Sequence, residues 1–186
     1  MAKIFQSLKG QLLLESGTLH GSFFQRSVVL ICQHDADGAF GLVLSRASGT
    51  KLGDALPSNL PVALQDQPLF LGGPVQPSAL SYLISGKSLK DANVLPNLEL
   101  GHSLDTLIEL ATDQTLPGQI RIFAGYSGWN GGQLEEEMKH HAWICHPASL
   151  DWVFNADPAH IWQKIMRQKG WQQRLVADSP EDLSWN

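Results

Sequence analysis

Cys32 and His34 stand two residues apart at the end of the run Ser27-Val28-Val29-Leu30-Ile31-Cys32-Gln33-His34. Residues i and i+2 of a strand share a face, so the pattern places a thiol beside an imidazole. That pair could be an activated nucleophile, or half of a metal site completed by His140, His141, Cys145 and His146. The spacing is neither C-x-x-C nor H-E-x-x-H, and a free cysteine in an apolar run reads first as a small buried hydrophobe. We therefore expect no bound metal and no cofactor, with Ser27, Cys32 and His34 as the catalytic candidates. Arg26, beside Ser27, can hold a carboxylate or phosphate bidentately. Its competing role is an ion pair with a glutamate after Gln133.

Three glycine-marked segments are the next candidates. Ile122-Phe123-Ala124-Gly125-Tyr126-Ser127-Gly128-Trp129-Asn130-Gly131-Gly132 reads as a strand and a glycine-rich loop leading into a helix N-terminus, an arrangement that cradles phosphate. Its spacing matches neither the P-loop nor the dinucleotide fingerprint. Glu135, Glu136 and Glu137 in the following first turn would repel an anion and read as charges complementing the helix dipole. Ser127 fails as a nucleophile elbow, because Trp129 occupies the position that needs glycine. Gly72-Gly73-Pro74 and the hairpin around Gly38 and Gly41 are the other two segments. Should the three meet at one cleft, the ligand-binding candidates are Arg26, Ser27, Gly72 and Gly73 from the first half. Gly125, Tyr126, Trp129, Gln133, Glu135 and Glu136 join them from the second.

A third candidate surface is basic. From His160 to Leu175 there is no acid, whereas Lys164, Arg167, Lys169 and Arg174 are present, with Trp162 and Trp171 alongside. Cations interleaved with aromatics can stack and neutralise nucleic acid, although a solvated helix face and core tryptophans explain the same residues. A net charge of −5 argues against a surface that grips nucleic acid everywhere.

These side chains need a scaffold. A chain of 186 residues with 43% apolar and 17% charged residues is globular, and we expect one domain over 1–186 with a frayed tail near 177–186. No secretory pattern and no membrane-length apolar run occurs, so the expectation is cytoplasmic with no membrane contact. Strands are expected at 10–15, 27–34, 41–45, 68–71, 80–85 and 119–124. Helices are expected at 50–56, 103–111, 132–142, 149–154 and 158–168. Asp157 should cap the last of these and Pro158 should open it. Early hairpins followed by inserted helices indicate α+β rather than a doubly wound sheet.

Three segments together carry a family resemblance. Arg26-Ser27-Val28-Val29-Leu30-Ile31-Cys32-Gln33-His34 with Gly38-Ala39-Phe40-Gly41-Leu42-Val43, then Leu71-Gly72-Gly73-Pro74-Val75, then Gly125-Tyr126-Ser127-Gly128-Trp129 with Gly132-Gln133-Leu134-Glu135, resemble the YqgE/AlgH family (UPF0301, DUF179). The resemblance spans residues 10 to about 170. Two departures stand out: Ser16-Gly17 where the family usually has a proline, and Ser45-Arg46-Ala47 where it commonly has Asn-basic-Pro. The resemblance implies a bacterial cytosolic α+β protein with a mixed, largely antiparallel, bifurcated sheet of barrel-like curvature surrounded by helices. It also implies a regulator of transcription, or another binding protein with a weak nucleic-acid or protein partner, rather than an enzyme. No helix-turn-helix is visible, since helix 158–168 has no expected partner across a tight turn. A small-ligand protein or enzyme at the glycine turns ranks second, and a metal protein third.

Overall fold

The run 28–32 is apolar at every position because both of its faces are covered. Val28, Leu30 and Cys32 enter one core cluster, while Val29 and Ile31 enter another on the opposite side. The computed structural model describes residues 6–56, 60–86, 89, 92–116 and 118–180. Its strands are β1 (Gln11–Glu15), β2 (Val28–Asp35), β3 (Gly38–Val43), β4 (Ala47–Lys51), β5 (Pro68–Leu71), β6 (Val75–Ser85), β7 (Leu98–Gly101), β8 (Ile120–Asn130) and β9 (Trp143–Pro147). Its helices are α1 (Leu52–Ala55), α2 (Val62–Gln65), α3 (Leu104–Thr112), α4 (Gln133–Lys139), α5 (Leu150–Phe154), α6 (Ile161–Gln168) and α7 (Trp171–Asp178).

Among the described residues the strands form one nine-stranded mixed sheet in the order β4-β5-β8-β3-β2-β1-β9, with β6 also on β8 and β7 on β6. Among the described residues only β5 and β8 run parallel. The sheet forks at β8: residues 122–124 pair with β5 and residues 120–126 with β6, whereas residues 127–130 pair with β3. The fold is thus α+β with the expected bifurcation. The barrel-like curvature does not close, because the path ends at β4 and β9 without a pairing between them. Residues of α5, α6 and α7 pack into the first cluster, residues of α1, α2 and α3 into the second, and Leu134 of α4 with loop 19–24 into the third. No helix among the described residues is long and apolar enough to cross a membrane.

Four differences from the sequence expectations have physical causes. First, the glycine-rich stretch 125–130 is not a loop but the second half of β8, held by pairing with β3. Its glycines serve close backbone approach. A Cβ on Gly73 would lie 2.1 Å from the Tyr126 carbonyl carbon, and Gly125 adopts φ +69 against the Gly73 carbonyl. Second, β4 and β9 are short, partly exposed strands without a clean alternation, and β7 alternates over only four residues, so periodicity does not reveal them. Third, residues 158–160 form a turn rather than the first turn of helix: Asp157 Oδ1 accepts the Ala159 N–H at 3.0 Å, and α6 begins at Ile161. Fourth, α6 does have a partner across a tight turn. Lys169-Gly170 joins it directly to α7, which escaped the reading because Trp171 and Leu175 point outward, 69% and 64% exposed. Helix α3 follows its expected Ser103 cap, whose Oγ accepts the Thr106 N–H, and Ser149 caps α5 in the same way. The end of the tail, 181–186, and Pro117 lie outside the described residues.

Candidate functional site

The walls of the candidate site come from three segments far apart in the chain. The first is the loop from β1 to β2. Glu15 is 1% exposed, and its carboxylate gathers the loop's backbone donors. Oε1 accepts the N–H groups of Gly17, Thr18 and Leu19 at 2.7, 2.6 and 2.8 Å, and Oε2 accepts that of Arg26 at 3.0 Å. Charge-assisted bonds of this kind satisfy donors that would otherwise be orphaned in a turn. Arg26 sits in the left-handed region at φ 51, which swings its guanidinium over the Trp162 ring, 5.2 Å from the centroid. From there Nη2 donates to the Ser179 carbonyl. Trp162 itself is anchored by its indole N–H, which donates to the Glu15 carbonyl at 2.8 Å.

The second wall is the link from β3 to β4. Ser45 Oγ accepts the Val28 N–H at 3.1 Å. Arg46 Nη2 donates to the carbonyls of Phe23 and Gln25 at 3.3 and 2.5 Å, which ties this link to the first wall. The third wall is the turn into α6. His160 Nδ1 meets Asp157 Oδ2 at 2.6 Å, and that hydrogen bond is the main reason the Asp157 carboxyl sits below its usual pKa. Together the walls enclose a cleft of about 500 Å³ that includes Ser22, Gln25, Arg26, Ser45, Arg46, His160, Trp162 and Gln163. A smaller cleft of about 320 Å³ adjoins it, shares Arg26 and Trp162, and is bordered by Leu175 and Val176. The larger cleft is dominated by hydrogen-bond donors and two guanidinium groups, a lining that holds anionic or strongly polar groups.

The other candidates fall elsewhere. Cys32 and His34 do not share a face, because the register slips between Ile31 and Gln33 and leaves Cys32 as the extra residue of a bulge. Cys32 is sealed in the core and burial pushes its thiol far up, which removes it as a nucleophile. His34 turns instead toward α4. Its Nδ1 accepts the Leu8 N–H at 2.9 Å, so the proton lies on Nε2, which donates to Glu135 Oε1 at 2.9 Å. This histidine fastens the N-terminal segment and α4 to the sheet. Glu136 pairs with Lys139, and Glu137 Oε2 accepts the indole N–H groups of both Trp129 and Trp143, at 2.8 and 2.7 Å. The three glutamates are therefore bound individually, beyond any effect on the helix dipole. Gln133 Nε2 donates to Glu137 Oε1 as well. Trp129 stacks on Phe24, and Tyr126 stacks on Phe40.

Gly72, Gly73 and Gly125 do converge, and Gly38 and Gly41 lie beside the same strand; they pack against one another, against backbone, and against the side chains of Val29, Ile31, Leu42 and Phe123. Ser27 is fully buried next to the site, and its Oγ has no hydrogen-bond partner among the described residues. Burial raises the Cys145 thiol and lowers the His146 imidazole. No group of three or more metal-ligating side chains forms among the described residues.

On the basic face, Arg167 donates through Nε and Nη2 to Asp178 Oδ1 at 2.9 and 2.6 Å, and Arg174 Nε donates to the Arg167 carbonyl at 3.0 Å. Lys169 Nζ donates to the Cys145 carbonyl at 3.0 Å, and Lys164 is exposed. Three of the four cations therefore pin α6 and α7 to each other or to β9.

With this geometry in place, the family model described as AlgH-like (DUF179) matches residues 12–174. The chain belongs to the AlgH-like family. It is 36% identical to a UPF0301 protein of Chlamydia felis over 180 residues, covering 96% of this chain and 95% of the relative. A UPF0301 protein of Chlorobium phaeobacteroides is 35% identical over 185 residues, with 97% of each chain covered. The solution structure of AlgH from Pseudomonas aeruginosa superposes with a TM-score of 0.74 at 29% identity, over 95% of this chain and 98% of that one. A crystal structure of a protein from Corynebacterium diphtheriae, at 22% identity and a TM-score of 0.75 over 95% of each chain, shares the fold. The AlgH-like family has no established biochemical function. The Ser45-Arg46-Ala47 segment supplies Ser45 and Arg46 to the cleft wall. Sequence reasoning did not single out Arg46, His160, Trp162 or Gln163 as lining residues, because no spacing rule links positions 46 and 160.

Proposed function

We propose that this AlgH-like protein is a binding protein whose larger cleft receives a small anionic ligand. Arg46 is the observation that carries the reading. Its Nη2 is fixed by two backbone carbonyls, while Nε and Nη1 have no protein partner and no carboxylate pairs with it among the described residues. A guanidinium oriented this way and bordering a polar cleft is suited to fork onto an oxyanion. Titrating the protein with succinate and with inorganic phosphate at low ionic strength, followed by calorimetry, should give saturable binding. Arg46→Gln should weaken it about tenfold, the loss of one charge-assisted bond. Equal affinity in wild type and variant would remove the cleft from consideration.

A second reading, direct contact with nucleic acid and a regulatory role, has one specific observation in its favour. Helix α7 follows α6 across the two-residue link Lys169-Gly170 and presents Trp171, Gln172 and Arg174 outward. If α7 contacts duplex DNA, neutralising Lys164 and Arg174 together should reduce the slope of log K against log salt by about two. Fluorescence anisotropy with a labelled duplex measures this. Absence of salt-sensitive binding by the wild type at low salt would end the reading.

A further inference from the structure

We propose that Arg121 seats the carboxylate of a small-molecule ligand, an inference that rests on the cleft reading and names the chemical class of its ligand. Arg121 interrupts the apolar start of β8, Ile120-Arg121-Ile122-Phe123, and pairs across the sheet with Leu83. It is only 7% exposed. Its guanidinium carbon lies 4.2 Å from the centre of the Phe70 ring, and Nη1 reaches the Leu44 carbonyl at 3.5 Å, the outer limit of a hydrogen bond. No carboxylate pairs with it among the described residues, and Nε and Nη2 make no hydrogen bond there. The 7% of its surface that stays exposed is the only measure of how far a ligand could approach this guanidinium.

A charge this deep is costly unless an opposite charge completes it. Desolvation is strong enough to bring even this guanidinium down to about pKa 10. The Phe70 face offsets part of that cost and no more. A single carboxylate supplies what is missing: one negative charge for one positive charge, and two oxygens for the two unbonded nitrogens. A phosphate dianion would leave the pair with a net buried negative charge. Position links this group to the cleft. The Leu44 carbonyl that touches Arg121 belongs to the residue immediately before Ser45 and Arg46, which line the cleft wall. The ligand's carboxylate thus turns inward to Arg121, and the remainder of the molecule lies along Ser45–Arg46.

The test follows the Arg121 Nε–Hε signal by NMR in the whole ¹⁵N-labelled protein. Sodium acetate, succinate, inorganic phosphate and sodium chloride are titrated at matched ionic strength. The two carboxylates should shift the signal saturably and chloride should not. Arg121→Met should lose the calorimetric succinate response at least tenfold while melting no lower than wild type, because it removes an uncompensated buried charge. A purely structural arginine would give the opposite pattern, a lower melting point and unchanged succinate binding. The wild-type titration is decisive by itself if the variant does not fold. Succinate binding that depends on Arg46 but leaves the Arg121 signal still would overturn this inference and spare the cleft reading. Absence of any anion binding would overturn both, and a stronger response to phosphate than to the carboxylates would overturn the assignment of ligand class.

Discussion

Gly73→Ala should lower folding stability by about 3 kcal/mol or more. The new Cβ would lie 2.1 Å from both the carbonyl carbon and the oxygen of Tyr126, and 2.3 Å from the Ser127 nitrogen. All three are backbone atoms of β8, so no rotamer change relieves the clash. Relief requires moving the β5–β6 connection away from β8 at the place where the sheet forks. That movement also strains Gly72, whose N–H donates to the Ala124 carbonyl and whose carbonyl accepts from Val43 N–H and Ser127 Oγ. Gly132→Ala is the control. Unlike Gly73 it has positive φ, +80, and nothing lies within 4 Å of the added atom, so only backbone strain of about 1 kcal/mol is expected. Urea denaturation of both variants compares the two. Equal losses would show that close approach is not what Gly73 provides.

Glu15→Ala should cost about 3 kcal/mol and should loosen one wall of the cleft. The substitution strips the acceptor from four backbone donors at once: Gly17, Thr18, Leu19 and Arg26. Some of these groups will recover water, which limits the loss. Arg26, a non-glycine residue at φ 51, is held in that strained conformation in part by its N–H bond to the carboxylate. Amide hydrogen exchange should therefore rise at residues 17–26 well before it rises in β2 or β8. Glu15→Gln retains one acceptor oxygen but directs an NH₂ group toward a donor, so an intermediate loss of about 2 kcal/mol is expected. Unchanged exchange in the loop of Glu15→Ala would mean that the loop is held by its packing on Trp162 instead.

Much of the scaffold is legible in the sequence, for reasons that particular residues make plain. The run 28–32 is apolar at both parities, and the structure covers both of its faces. Ser103 and Ser149 are caps that act where their type predicts. The bulge at Cys32 is not legible, since nothing in Ile31-Cys32-Gln33 differs from regular strand. That one extra residue moves His34 from the core face to Glu135 and dissolves the thiol–imidazole pair. The glycines of 125–132 signal backbone constraint correctly, but sequence alone does not tell constraint by a ligand from constraint by another strand. The cleft is less legible still, because its walls are assembled from the 22–26, 45–46 and 158–163 segments. Arg121 was open to detection: a lone charge among Ile120, Ile122 and Phe123 is a polar group at a core position, which ordinarily demands a partner.

The pairing of β1 with both β2 and β9 bears on how the chain acquires its shape. Strand β1 leaves the ribosome before β9, with seven strands between them in the chain. Until residues 143–147 emerge, the nascent β1 carries a bare row of amide and carbonyl groups along one side, flanked by Leu12, Leu13 and Leu14. Such a rim can recruit a neighbouring chain. A nascent or prematurely terminated chain that stops before Trp143 should therefore associate with others of its kind, whereas emergence of β9 closes the rim from within the same molecule.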